Sequence, residues 1–493
     1  MHGWAAAAAV TALAAALRLP ALGRPRELVF DETYYVKDAW TLLNLGYEGQ
    51  WPAEPDPDFV AGEVDGYTTT ASYVVHPPVG KWLIALGLRL LGAQDPVGWR
   101  LAAALAGIVS VLLLTRIAGR LLRSTALGVV AGTLLALDGL AIVHSRTALL
   151  DGFLMMFVLA AFGALLLDRD AARTRLAALT GPPRAAMRWG PSLGPRPWRL
   201  AAGVLLGLAV GTKWSGLWFV AAFGLLSVAW DASARERAGV RRWWLGTLVR
   251  DAGPAFASIV GVGALTYLAS WFSWFRSPAA YGRTWATDNP GQGVGWLPET
   301  MRSLWKFHQD MWSFHTTLDA EHPYAAHPAG WLLQIRPTAF FYTSPAPAEQ
   351  YCGADACSQA VTSLGNPILW WLAAAALVAC LWWALWRLDG VAAVVVTAVA
   401  AGWLPWFAYA ERTIFTFYAI VFLPWLIIGL THAGGRLWRW GDADRARRRF
   451  VRTGLVALGL LVVAATWFFY PVWTAEVVTF RYWQLHQWVQ SWL

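Results

Sequence analysis

Charged side chains are scarce in this 493-residue chain, 14% against 57% apolar residues, and mean hydropathy is +0.43. That scarcity excludes a soluble multi-domain protein, because apolar runs of spanning length recur along the sequence. Acids are the scarcer sign, 30 Asp and Glu against 39 Lys and Arg, for a net charge of +9. The basic excess gathers in particular loops, so it reports membrane topology, and no nucleic-acid patch emerges. Cysteine is nearly absent, with three residues, and no further Cys or His stands beside them at zinc-motif spacing. No internal repeat is visible either, which argues against a transporter built from inverted halves.

Tryptophan, by contrast, is abundant at 34 residues. Its amphipathic ring favours the headgroup level of a bilayer, so extensive interfacial surface is expected beside the spanning helices. The two cysteines of the polar run 351–357, Cys352 and Cys357, flank Gly353, which lets the chain turn back. They form a disulfide candidate on an oxidising face, with a metal site as the alternative. Cys380 lies in an apolar helix and reads as packing.

In chain order, Trp4–Leu22 is the first span; its length suits a signal peptide, but a basic leading region is missing. Gly23–Pro78 is polar and aromatic, an external loop, and Trp82–Leu91 is too short to cross and lies along the surface. Further spans are expected at Trp99–Leu114, Ala126–Val143, Ala148–Leu167, the hairpin Leu200–Val210 with Leu217–Trp230, Ala255–Phe275, Ile368–Trp386, Val391–Phe407, Ile414–Leu430 and Leu455–Tyr470. Arginine-rich stretches after 168, 235 and 436 mark the cytoplasmic side. The reading is an all-α polytopic membrane protein with about eleven spans, its amino terminus inside and its carboxyl terminus outside. Residues 1–275 form a first transmembrane module with an external loop at 23–97. Residues 276–365 form a second large external loop, and 366–493 hold the last helices and an external tail. In the second loop Met301, Leu304, Trp305, His308, Met311, Trp312 and His315 follow helical spacing. That pattern suits an amphipathic helix on the membrane, or equally a buried helix of a small subdomain.

The chemistry is expected at Asp31-Glu32, adjacent acids that follow the first apolar segment and lead into Thr33-Tyr34-Tyr35. Asp31 could instead cap a short interfacial helix. By this topology Asp31, Glu32, His76, Lys81, Arg100, Asp138, His144, Arg146, Asp151, Lys213 and Arg412 all fall at or just beneath one membrane surface. A charge there costs about 2.5 to 3.5 kcal/mol on insertion scales, so a shared polar cavity is the economical explanation. Individual alternatives stand: Arg100 and Lys213 snorkel, Arg146 and Asp151 form a structural ion pair, His144 is an interface residue. Carboxylates beside guanidinium and ammonium groups suit transfer from an anionic lipid-linked donor. Cations stabilise a departing phosphate, and a carboxylate takes the proton of an attacking hydroxyl. No metal and no cofactor is called for.

Several motifs resemble the protein O-mannosyltransferases of the dolichyl-phosphate-mannose type, in the GT-C class of membrane glycosyltransferases, and specifically a bacterial member. They are Asp31-Glu32, the run from His76 to Lys81, the run from Ser145 to Asp151, the run from Gly211 to Leu217, His322-Pro323-Tyr324, the run from Leu364 to Trp371, and Arg412 before Phe415-Thr416-Phe417-Tyr418. The resemblance implies inverting, metal-independent transfer of mannose from a polyprenyl-phosphate carrier to Ser or Thr of exported polypeptides. It implies Asp31 as base and Glu32 as its acceptor-side neighbour, with His322 and Tyr324. Arg100, Arg146, Lys213, Arg412, Asp151, His76, Lys81 and Asp138 become candidate contacts to donor phosphate or sugar. Implied partners are the lipid donor, the exported polypeptide, membrane lipid and the secretion translocon. The implied location is a bacterial plasma membrane with an externally facing site. The external region has no room for the β-trefoil domain of eukaryotic relatives. Competing readings are another lipid-phosphate glycosyltransferase acting on a glycolipid or cell-wall glycan, a transporter, and a noncatalytic scaffold.

Overall fold

The computed structural model describes residues 2–179, 188–345 and 352–493. Among the described residues seven helices are long and apolar enough to cross a membrane, and three shorter apolar helices join them at Gly3–Arg18, Thr125–Leu137 and Pro197–Thr212. The amino-terminal half runs through α1 (His2–Arg18), α2 (Glu32–Leu45), α3 (Asp56–Ala61), α4 (Val79–Leu91), α5 (Pro96–Leu121), α6 (Thr125–Leu137), α7 (Gly139–His144), α8 (Leu150–Leu179), α9 (Pro197–Thr212) and α10 (Gly216–Arg237). Helix α8 is central, with 78% of its most apolar window buried against other helices. Asp151 and Asp168 lie 17 residues apart on it (168 − 151), a rise of about 25 Å. The two polar ends of α8 are thus separated by nearly the hydrocarbon thickness of a bilayer. At the far end Asp168 and Asp231 are both bridged by Arg196 and Arg199.

Close backbone contact holds α9 to the helical segment 243–270. A Cβ at Gly203 would lie 2.0 Å from the Ser258 carbonyl oxygen, and one at Gly207 would lie 2.5 Å from that of Gly263. Small residues four apart allow this approach in lipid, where packing replaces the hydrophobic drive. Segment 243–270 contains two π-helical stretches, Leu248–Ala252 and Ala257–Gly261.

Four features depart from the sequence reading. The expected single helix Ala126–Val143 breaks at Asp138, whose Oδ1 accepts from Ala141 N at 3.0 Å and so caps α7. Only the second half of Ile414–Leu430 is α-helical. Thr416–Val421 forms a 3-10 turn, and the helix runs from Leu423, with Pro424 in its first turn, to Gly441. The helix of the last span begins well before Leu455, at Arg445. The external regions also build a three-stranded antiparallel sheet in the order β1-β2-β3, from Thr338–Thr343, Cys357–Ser363 and Val477–Thr479. The strands are short and β3 comes from the chain's far end, so local alternation gave no signal. Cys352 and Cys357 are joined by a disulfide with Cα atoms 5.9 Å apart at the start of β2.

The Glu299–Thr317 helix is amphipathic, as its spacing implies. Leu304, Phe307 and Met311 pack on Tyr47, Val74, Trp271 and Trp274, while Trp305 and Trp312 face outward. One face therefore belongs to a satellite core that ties the two external regions together.

Candidate active site

Phe30 sets the position of the acid pair. It adopts φ 51°, and its ring stacks on Phe340 at 4.8 Å and meets Phe415 and Phe417 edge-on at 5.5 and 5.6 Å. Asp31 then begins α2 as its N-cap, yet its side chain makes no capping hydrogen bond. The carboxylate accepts instead from Tyr35 Oη at 3.3 Å and lines a cavity of about 850 Å³. That volume suits a small ligand with an apolar portion.

Tyr35, Asp38, His76, Lys81, Lys213 and Arg412 line the same cavity, with His315, His322 and Tyr418. Lys213 terminates α9 at the hairpin tip, donates to both oxygens of Asp151 at 3.0 Å and sits 4.1 Å from the centre of the Tyr418 ring. Arg412 makes no ion pair among the described residues, and its Nε is a buried nitrogen without a hydrogen-bond partner. His76 and His315 stack at 5.1 Å. Lys81 contacts Glu48 closely and lies 3.8 Å from Asp38. Apolar and aromatic residues, among them Leu217, Trp218, Ala221, Pro405 and Trp406, complete the walls.

Burial dominates the acid–base properties. It pushes the Asp31 carboxyl up to about 6, against the lowering pull of the Lys213 cation and with the Asp151 charge adding to the rise. It holds His76 well below the usual imidazole range and His315 at about 4, both helped by neighbouring cations. Both rings are therefore neutral at physiological pH.

Several expected site residues lie elsewhere. Glu32 is fully buried behind the cavity: it binds Arg100 through both oxygens at 2.8 Å and accepts from Val29 N and Ala148 N. Arg100 also donates to the carbonyls of Leu22, Pro25 and Glu27, so neither partner has capacity left for a substrate. Arg146 closes the end of α1 by donating to the carbonyls of Arg18, Pro20 and Ala21. Asp138 is consumed by Ala141 N, Asn366 N and Trp370 Nε1. Asp151 acts through Lys213. His322 reaches the cavity, whereas Tyr324 lies beside the Arg336 guanidinium and outside the lining. His144 donates from Nδ1 to Leu140 O at 3.0 Å and packs on Phe340 and Phe417.

Comparison with known proteins decides the family. Residues 8–246 match the dolichyl-phosphate-mannose-protein mannosyltransferase family, and residues 300–432 match the C-terminal four-transmembrane region of protein O-mannosyltransferase. A polyprenol-phosphate-mannose–protein mannosyltransferase of Mycobacterium tuberculosis is 39% identical over 506 residues, covering 100% of this chain and 92% of that protein. The chain belongs to the dolichyl-phosphate-mannose–protein mannosyltransferase family.

A second such relative, from Mycolicibacterium smegmatis, is 38% identical over 508 residues, covering 100% of this chain and 93% of its own. The fold of this mannosyltransferase-family chain superposes on the Saccharomyces cerevisiae Pmt1–Pmt2 complex bound to the sugar donor with TM-score 0.74, at 14% identity and covering 100% and 93% of the two chains. The GT-C architecture expected from the motifs is the architecture found. The sequence reading named Tyr35, His315 and Tyr418 without giving them a site role and passed over Asp38 and Glu48. Two of these were within reach, since Tyr35 and Asp38 follow Asp31 at i+4 and i+7 and so share its face of α2.

Proposed function

We propose that this chain transfers mannose from a polyprenyl-phosphate-mannose donor to Ser or Thr hydroxyls of exported polypeptides. The observation that carries the reading is an Asp31 carboxylate that makes no capping hydrogen bond and shares one cavity with Lys213 and Arg412, in a chain whose relatives are named polyprenol-phosphate-mannose–protein mannosyltransferases. Asp31 takes the proton of the acceptor hydroxyl as its oxygen bonds to the anomeric carbon. The bond from that carbon to the phosphate oxygen breaks on the opposite face, so configuration inverts. The electron pair leaves on polyprenyl phosphate, whose charge Lys213 and Arg412 meet in place of a metal. The apolar walls suit the first isoprene units. We place the protein in a bacterial plasma membrane, with the cavity on the external face and the secretion translocon as a neighbour that delivers unfolded acceptors.

The test uses purified protein in lipid vesicles supplied with polyprenyl-phosphate [14C]mannose and a Ser/Thr-rich peptide. Wild type should label the peptide, and correctly folded Asp31→Asn should lose transfer by about 10²- to 10⁴-fold, the usual contribution of a general base. Unaltered labelling by Asp31→Asn would remove the proposed base.

A further inference from the structure

We infer that Asp38 reads the donor sugar, its carboxylate accepting hydrogen bonds from ring hydroxyls remote from the anomeric carbon. The inference rests on the transfer reaction proposed above. Asp31 and Asp38 are seven residues apart on α2 (38 − 31), two helical turns and about 10 Å along one face. Both line the cavity, with Tyr35 between them. If the anomeric carbon sits beside the acceptor hydroxyl held by Asp31, the opposite edge of the pyranose ring extends toward the Asp38 end.

What surrounds Asp38 leaves its carboxylate available. Lys81, only 1% exposed, is in close contact with Glu48 and reaches Asp38 only at 3.8 Å. Asp38 therefore sits beside a cation already matched by another acid, and its side chain has no hydrogen bond among the described residues. Tyr73 Oη and His76 Nδ1 are buried polar atoms without hydrogen-bond partners among the described residues, and both residues line the same cavity. Buried polar groups are normally satisfied, so two unmet groups able to donate, in one cavity with a carboxylate that has no side-chain hydrogen bond, point to a ligand that supplies both kinds of bond. An anion would be repelled by Asp38, and the cations that suit a phosphate, Lys213 and Arg412, are elsewhere in the lining. A neutral polyhydroxyl ring fits. Burial raises the Asp38 carboxyl to about 7, with Lys81 pulling the other way, so either protonation state present near neutrality can bond a hydroxyl.

A site built around a substrate hydroxyl rejects the analogue that lacks it, because its own polar group is then left unpaired. The experiment compares kcat/KM for polyprenyl-phosphate-mannose and for its 3-, 4- and 6-deoxy-mannosyl counterparts, in wild type, Asp38→Asn and Asp38→Ala. Thermal unfolding checks each variant; Asp38→Asn keeps the shape and leaves Lys81 on Glu48. Wild type should prefer mannose over at least one deoxy donor by about 100-fold or more. The variants should reduce that one preference to under about 10-fold while keeping the others. Identical preferences in wild type and variants, at whatever overall rate, would show a merely structural Asp38 and overturn the inference, as would a wild type indifferent to all three deletions. A wild type that transfers no mannose from its lipid donor would instead defeat the transfer reading itself, and Asp38 would fall with it.

Discussion

Glu32 and Arg100 meet at 2.8 Å through both carboxylate oxygens, and both side chains are fully buried. The residue before Glu32 faces the cavity, so neighbouring acids have opposite fates: Asp31 lines the cavity and Glu32 clamps α2 to α5 and, through Ala148 N, to the turn that precedes α8. Removing one member of a buried pair leaves the other charge uncompensated, at a cost of about 3 to 5 kcal/mol. Glu32→Gln and Arg100→Gln should therefore lower the unfolding temperature and the yield of folded protein sharply. Asp31→Asn should do neither, because it removes a charge that burial already disfavours. Thermal unfolding of the three variants in detergent checks this; equal stability would mean that the pair contributes little.

The Asp31 carboxyl, raised to about 6, fixes the direction of a pH effect. A base must be ionised to act, so kcat/KM should fall as pH drops through about 6 and level off above about 7. The hydrogen bond from Tyr35 stabilises the ionised form. Tyr35→Phe removes it, which raises the carboxyl further and moves the acidic limb to higher pH. The limb should shift upward with only a modest change in the plateau rate, and a limb that stays in place would exclude Asp31 as the titrating group.

Much of the membrane plan was legible because bilayer solvation imposes long apolar runs and basic inner loops, and both survive in a single sequence. The helix-lined hairpin that presents Lys213 follows from Gly211 to Gly216 in the same way. The site was legible only in part. Arg100, Arg146 and Asp138 look like Lys213 in sequence, a charge near a helix end. What separates them is where the side chain is held: Lys213 pairs with Asp151 and still lines the cavity, whereas the others are taken up outside it by partners from segments more than 60 residues away, such as Glu32 for Arg100 and the Asn366 backbone N–H for Asp138. The sheet was missed for the same reason, since β3 pairs with β2 across more than 100 residues.

Arg412 and Arg100 therefore make a controlled contrast for donor binding. Arg412 lines the cavity without an ion pair among the described residues, whereas Arg100 is saturated by Glu32 and three carbonyls. A hydrogen bond to a charged group contributes about 1.5 to 3 kcal/mol, or about 10- to 150-fold in affinity. Arg412→Gln should raise the KM for the lipid donor by roughly that factor and leave the unfolding temperature unchanged. A variant with normal donor KM would move the phosphate away from Arg412.

The glycine contact between α9 and segment 243–270 links packing to the same site, because α9 ends at Lys213. A Cβ at Gly207 would stand 2.5 Å from the Gly263 carbonyl oxygen and 2.6 Å from Thr266 Cβ, so Gly207→Ala must push the two helices apart. Gly224 in α10 has nothing within 4 Å of the corresponding position, and Gly224→Ala should gain the helix preference of alanine, roughly 1 kcal/mol. The first substitution should lower the unfolding temperature and, by displacing the tip that carries Lys213, raise the donor KM. The second should leave the donor KM unchanged and hold or raise the unfolding temperature. If both glycines tolerate alanine equally, α9 is not positioned by this contact, and Lys213 is held at the cavity by Asp151 and the Tyr418 ring.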